Sequence, residues 1–274
     1  MAILKDNLCF ERSHLNDLQG EDMWVFCCGM YRSASTLQFQ IVSQLVKEAD
    51  IGQQIGWIDA QRFLEVRNSY QSYKQLKVVK VHQFTDAIGK EFTQNNALGI
   101  YTFRDIRDVY VSMMQQQQKS FDDIWNWHGR EFIQTCLDNY KQWTSLPRVL
   151  VSQYENIFQN IPQEVKRIAR HLNINFDVDK RQNIASLFTL EQQKKRIQKF
   201  TTQLMQTSLN PHDHREIVDY HDEDSLLHIN HINAAKTGVW QEYLSTEEVT
   251  KIENKVKSWC NDNKHEYLTF LRQI

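Results

Sequence analysis

In this chain of 274 residues, 32 Lys and Arg are set against 34 Asp and Glu, for a formal net charge of -2. That balance excludes the strong basic excess usual in nucleic-acid-binding proteins, so any anion site must be a local cluster. No apolar run approaches ~20 residues, which excludes a hydropathy-defined membrane span, and the five cysteines Cys9, Cys27, Cys28, Cys136 and Cys260 include no C-x-x-C pair, which excludes a zinc ribbon and gives no disulfide framework.

A soluble protein in a reduced, cytoplasmic setting is therefore expected. The opening MAILKDNLCFERSH is broken by charges too early for a signal-peptide core. The length suits one substantial hydrophobic core, and no linker divides it, so residues 1–274 are read as a single domain.

In chain order, the first element is the apolar run Met23 to Cys28, which breaks at Gly29 into Met30-Tyr31-Arg32-Ser33-Ala34-Ser35-Thr36. It reads as a buried strand, a sharp glycine turn and a helix beginning near Thr36. Backbone amides and the helix dipole at such a corner favour an anion. An NTPase phosphate loop needs G-x-x-x-x-G-K-[ST], and here Ala34 and Ser35 occupy the second Gly and Lys positions. The cation of this loop is Arg32. An ordinary corner, with Ser and Thr merely capping the helix, fits the segment equally well.

The next apolar runs are Leu76 to Val81, Leu98 to Phe103 and Val149 to Ser152. Between them lie helical spacings: Ile106, Val109, Tyr110 and Met113; Ile133, Cys136, Leu137 and Tyr140; Val165, Ile168, Ala169 and Leu172. Four strands alternating with helices predict a parallel α/β sheet flanked by helices. With eight Gly and three Pro the chain should be helix-rich, and Ser245 with Glu248 forms a capping box ahead of a final helix. The run Gln115 to Gln118 continues the helix from Ile106 and fills its exposed end. His212 to Asp224 is acidic and without period, hence a surface loop.

Three segments add chemistry to the first corner. Lys80-Val81-His82 ends a strand with a cation and an imidazole, the side chain best suited to accept a proton near neutral pH. Arg104-Asp105 opens a helix on which Asp105 is the N-cap and Ser112 lies two turns on, an arrangement able to clamp a second phosphate. Lys236, Thr237 and Gly238 form a flexible cationic turn, with Trp240 as a core anchor. Each segment alone also reads as structure: a strand-end histidine, a solvated charge lattice, a loop.

Together the segments resemble the sulfotransferases that use 3′-phosphoadenosine 5′-phosphosulfate (PAPS). GMYRSAST is similar to the family's 5′-phosphosulfate loop, KVH to its Lys-x-His element, and FRDIRDVYVS to its 3′-phosphate motif. VLVSQYENIFQNIPQEVKRIARHLNI and KTGVWQEYLSTEE resemble two later family stretches, in family order. The resemblance implies a P-loop NTPase-like α/β fold and metal-independent sulfuryl transfer to a small-molecule acceptor, leaving 3′,5′-adenosine bisphosphate (PAP). It implies Arg32, Ser33, Ala34, Ser35, Thr36 and Leu37 around the 5′-phosphosulfate and base, Arg104 and Ser112 on the 3′-phosphate, Tyr154 near the adenine and Lys236, Thr237 and Gly238 closing over the donor. His82 is the implied general base, with Arg32 and Lys80 stabilising charge. Leu37 replaces an adenine-stacking Trp, Ile106 a Pro, and Asn233 and Ala234 an Arg-Lys pair.

Within that family the chain resembles bacterial tailoring enzymes of specialised metabolism, cyanobacterial sulfotransferases acting on guanidinium alkaloids being one branch the resemblance suggests, with transfer to oxygen or nitrogen. Asp219, Asp222 and Asp224 would then favour a cationic acceptor. A P-loop kinase or NTPase is the alternative from another class, and a non-catalytic donor-binding protein a second. The spacings of His212, His214, His221, His228 and His231 match no metal motif.

Overall fold

The computed structural model describes residues 23–206, 210, 221–229, 232 and 236–271. Five parallel strands form one sheet in the order β2-β3-β1-β4-β5: β1 Trp24–Gly29, β2 Gly52–Trp57, β3 Leu76–Lys80, β4 Ala97–Phe103 and β5 Val149–Gln153. The central strand β1 is buried along its whole length, as expected of a parallel strand covered on both faces. Its side chains alternate between two cores. Trp24, Phe26 and Cys28 face one, and Val25 and Cys27 the other. Truncating a ring such as Phe26, fully buried between Phe63, Phe92 and Trp143, would cost about 3–5 kcal/mol.

β2 has no counterpart among the four apolar runs. Its sequence, GQQIGW, is half-exposed at the sheet edge and carries a register shift between Gln54 and Gly56. Pairing with β3 makes it a strand, because its own residues supply no apolar alternation.

Helices cover both faces. α1 (Ser35–Glu48), α8 (Ile161–His171) and α9 (Val178–Ser186) contribute to the second core. α4 (Ile106–Gln117), α6 (Phe132–Thr144) and α12 (Thr246–Asn263) contribute to the first. Asp105 caps α4 by accepting from Arg107 N at 3.0 Å, and Ser245 and Glu248 form a reciprocal capping box on α12. The other helices used below are α7 (Tyr154–Gln159), α10 (Leu190–Met205) and the single turn α11 (Trp240–Tyr243).

Cys27, Cys28, Cys136 and Cys260 are buried free thiols, and Cys9 lies outside the described residues. Among the described residues no helix is long and apolar enough to cross a membrane. After β1 the chain fills one side of the sheet with β2 and β3, then crosses to β4 and β5. The carboxyl end of β1 is thus the switch point at which open α/β sheets bind ligands.

Candidate active site

Gly29, the last residue of β1, pairs with Thr102 on β4, and the turn beyond it is locked to the same neighbour. Met30 N donates to Thr102 O at 2.9 Å, and Ser33 Oγ contacts Met30 O at 2.6 Å and Thr102 O at 3.0 Å. Ser33 is fully buried, and its hydroxyl braces the loop through these contacts; Ser33 is not part of the wall of the cavity described next.

Arg32 and Ala34 both adopt left-handed backbone, φ 59° and 71°, at a cost of about 1–2 kcal/mol each. In return, α1 begins with Ala34 as its N-cap and no side-chain cap. The serines and threonine of the corner are therefore not caps, and the first amides of α1 remain available to an anion.

Ala34, Ser35, Thr36 and Leu37 line a cavity of about 530 Å³ together with Arg32, Lys80, His82, Arg104, Ser112, Tyr154 and Lys236. Segments spread over two hundred residues of sequence thus meet at one end of the sheet.

Arg32 Nε donates to Ser112 Oγ at 3.0 Å. Burial, followed by the like charge of Arg104, lowers its pKa to about 10, which leaves it cationic near neutrality. Lys80 ends β3 with its amine 3.0 Å from His82 Nε2. Burial lowers Lys80 to about 8, with Cys27 opposing and Arg32 adding to the shift.

His82 donates from Nδ1 to Gly29 O at 3.3 Å. Its own carbonyl accepts from Asn139 Nδ2 at 2.7 Å and Trp143 Nε1 at 3.2 Å, both on α6. Tyr31 stacks on the imidazole with centroids 5.1 Å apart. Burial first, and the charge of Lys80 second, push His82 down to a pKa of about 3.

A second cationic centre lies at the start of α4. The Arg104 guanidinium rests 4.1 Å over the Tyr154 ring and donates from Nη2 to Lys236 O at 2.7 Å, with Asp108 Oδ2 at 3.6 Å. Its Nε is buried and has no hydrogen-bond partner among the described residues, an orphaned donor suited to an anion. Asp108 also accepts from Gly238 N at 2.8 Å and Trp240 N at 3.1 Å. The segment 236–240 is thereby strapped to α4. Lys236 lines the cavity, whereas Thr237 and Gly238 are not part of its wall.

Trp240 is not the core anchor that its type suggests. It is half-buried with Arg107 stacked 3.9 Å over its ring. Gln115 and Gln116 line the cavity, because one helical turn beyond Ser112 they share its face; they do more than fill an exposed helix end. Phe158, an i+4 neighbour of Tyr154 at 4.8 Å, adds an aromatic wall.

Of the expected acidic cluster, Asp219 lies outside the described residues, and Asp222 Oδ1 accepts from Ser225 N and Oγ. Neither Asp222 nor Asp224 lines the cavity; Leu227 and His228 from the same segment do. His212, His214, His231, Asn233 and Ala234 lie outside the described residues. Among the described residues no group of three or more His, Cys, Asp or Glu is placed to hold a metal.

Solved structures with the same fold are similar over most of their length. Retinol dehydratase in complex with androsterone and the inactive cofactor PAP superposes with a TM-score of 0.58 at 16% identity, covering 96% of this chain and 85% of that one. A retinol dehydratase complex with retinol and PAP gives 0.57 at 16% identity, covering 96% and 86%. Mouse sulfotransferase SULT7A1 complexed with PAP gives 0.55 at 12% identity, covering 90% and 88%. The family model of the sulfotransferase domain matches residues 22–264. That span contains every element of the sheet and both cationic centres, and the chain belongs to the sulfotransferase family.

Proposed function

We propose that this sulfotransferase moves a sulfuryl group from PAPS to a hydroxyl, or to an amine or guanidine nitrogen, of a small-molecule acceptor, with His82 as general base. The observation that carries this reading is one cavity joining two cationic centres: Arg32 and Lys80 beside His82, and Arg104 with its orphaned Nε. The structural neighbours were solved with PAP, two of them also with retinol or androsterone.

The residues present fit such a donor. The uncapped start of α1, with Ser35 and Thr36, suits a 5′-phosphosulfate, and Arg104 with Ser112 suits a 3′-phosphate. Leu37, Tyr154 and Phe158 offer apolar and aromatic surface for a base, and Lys236, Thr237 and Gly238 form the covering strap. PAPS supplies the sulfuryl group and a phosphate leaving oxygen. His82 takes the acceptor's proton at Nε2, while Arg32 and Lys80 hold the charge that develops on the leaving side. Most of the acceleration then comes from positioning and preorganised charge.

For a cationic acceptor the described wall offers Glu242 as an exposed counter-charge. We read residues 1–274 as one catalytic unit working in the cytoplasm.

Thermal protection tests the donor. Protection by PAP in the presence of a magnesium chelator supports the reading, whereas protection by Mg-ATP alone would identify a P-loop kinase or NTPase. Turnover of PAPS with hydroxylated and guanidinium-bearing small molecules then tests the transfer.

A further inference from the structure

Polar contacts alone hold the His82 ring loosely. Its bond to the Gly29 carbonyl is long, 3.3 Å, and rotation about the bond that joins an imidazole to its Cβ is soft. At Nε2 the neighbour is Lys80, which in the proposed reaction turns toward the leaving oxygen. A base whose lone pair must meet an acceptor's O–H or N–H needs a support that survives that movement.

Tyr31 supplies one. Its ring lies face to face with the imidazole, with centroids 5.1 Å apart and planes 21° from parallel, the geometry of an offset stack. This contact requires neither a hydrogen bond nor Lys80.

Helix α6 fixes both rings. Phe132, at its start, is buried and lies 6.0 Å from the Tyr31 ring, and the Tyr31 amide donates to the Cys136 sulfur. The same helix holds the His82 backbone through Asn139 and Trp143. The Tyr31 hydroxyl hydrogen-bonds with the Gln83 side chain. The left-handed backbone at Arg32 then parts two neighbours in sequence, Tyr31 going to His82 and Arg32 to Ser112.

Tyr31 and His82 both line the large cavity, and both line a separate space of about 10 Å³ whose wall includes Thr135, Cys136 and Asn139 of α6. Among the described residues these two alone belong to both walls, so the stacked pair stands where the two spaces meet. The smaller one has room for about one water, and it is space into which an unstacked imidazole could swing.

We infer that Tyr31 is a positioning residue for the base: its ring holds the imidazole in the plane that keeps Nε2 toward the acceptor while Lys80 engages the leaving group. The assignment rests on the sulfuryl-transfer reading. Tyr31 takes no proton and forms no bond to substrate; it acts through His82.

Turnover of PAPS by the full chain over a panel of hydroxylated and guanidinium-bearing small molecules identifies a working acceptor for the test. With it, Tyr31→Leu is expected to lower kcat on the order of tenfold, the worth of a stacked aromatic pair. The KM for PAPS and thermal protection by PAP should stay close to wild type. Tyr31→Phe keeps the ring and loses the hydroxyl, and should recover most of the lost rate. Nuclear magnetic resonance of histidine-labelled protein reads the stack without donor or acceptor. The His82 ring protons, assigned by their loss in His82→Gln, should carry an upfield ring-current shift in wild type and Tyr31→Phe and lose it in Tyr31→Leu. Tyr31→Met serves if Tyr31→Leu does not fold. Wild-type kcat in Tyr31→Leu, an equal loss in Tyr31→Phe, a loss that comes with weakened PAP protection, or a His82 spectrum unmoved by the substitution overturns the assignment and leaves the transfer reading standing. A wild-type chain that binds no PAP and transfers to no acceptor overturns both, even where the stack is seen.

Discussion

Lys80 points its amine at His82 Nε2 across 3.0 Å, while His82 Nδ1 donates to the Gly29 carbonyl on its other side. A carbonyl only accepts, so the Gly29 contact fixes the tautomer and leaves Nε2 as the lone pair. Lys80 covers the one atom able to take a proton from an acceptor. In the proposed reaction the two roles are therefore coupled: as Lys80 turns toward charge on the leaving oxygen, it uncovers the base.

His82→Ala should lower kcat by roughly 10²- to 10⁴-fold, the usual worth of a positioned general base. Because the proposed anion sites at α1 and Arg104 do not use the imidazole, thermal protection by PAP should persist in the variant. Full transfer activity in His82→Ala would remove the base assignment without touching family membership.

The pH dependence should be one-sided. With His82 lowered to about 3, the base is already neutral across the working range and gives no acid limb. Lys80, lowered to about 8 by burial, is charged below that value and loses its proton above it. The profile of kcat/KM, which reports the free enzyme, should therefore be flat through neutrality and fall as pH rises past about 8. Lys80→Arg keeps the charge at higher pH, so the alkaline fall should move upward or vanish even if the variant is slower. An unmoved alkaline limb in Lys80→Arg would assign it to another group.

Asp108 joins Arg104, the proposed donor contact, to the strap. One carboxylate oxygen accepts from Gly238 N and lies 3.6 Å from Arg104, and the other accepts from Trp240 N. Asp108→Asn retains the shape, but it loses the charge and turns a donor toward one of these amides. Hydrogen bonds to charged groups contribute about 1.5–3 kcal/mol. PAP affinity measured by calorimetry should thus fall roughly 10- to 100-fold if that energy holds the strap. An unchanged affinity would show that the strap closes without Asp108.

Legibility in the sequence followed how local the determining contacts are. β1, β3, β4 and β5 are apolar runs and are visible as such, whereas β2 depends on its pairing with β3 and carries two glycines and two glutamines. Arg32, Lys80, His82 and Arg104 stand at strand ends in contiguous motifs, so their convergence could be anticipated. Phe158 escaped notice although Tyr154 lies one turn earlier on the same helix. Leu227 and His228 carry no local signal, since contacts from Gln40 and Gln54 to their segment place them. Ser33 is the opposite case: a hydroxyl in a phosphate-loop pattern suggests a ligand, and only the proximity of β4 reveals that Thr102 also engages it.

That proximity gives a graded test of the corner. A Cβ on Gly29 would fall 2.2 Å from Thr102 Oγ1 and 2.7 Å from the Thr102 carbonyl oxygen. The second contact is backbone in a neighbouring central strand and cannot turn aside. Gly29→Ala must therefore push β1 and β4 apart where the loop begins, and a cost of about 1–3 kcal/mol is expected from such overpacking. Ser33→Ala removes no backbone pairing; it deletes the hydroxyl that braces Met30 and Thr102, for about 1–3 kcal/mol if the buried carbonyls are left short of a partner. The two variants should differ in function more than in melting temperature. Gly29→Ala displaces the carbonyl that orients His82 and should depress kcat even at saturating PAPS. Ser33→Ala loosens the loop ahead of α1 and should raise the KM for PAPS first. The reverse pattern, with Ser33→Ala lowering kcat alone, would mean that the Ser33 hydroxyl reaches the transferred group.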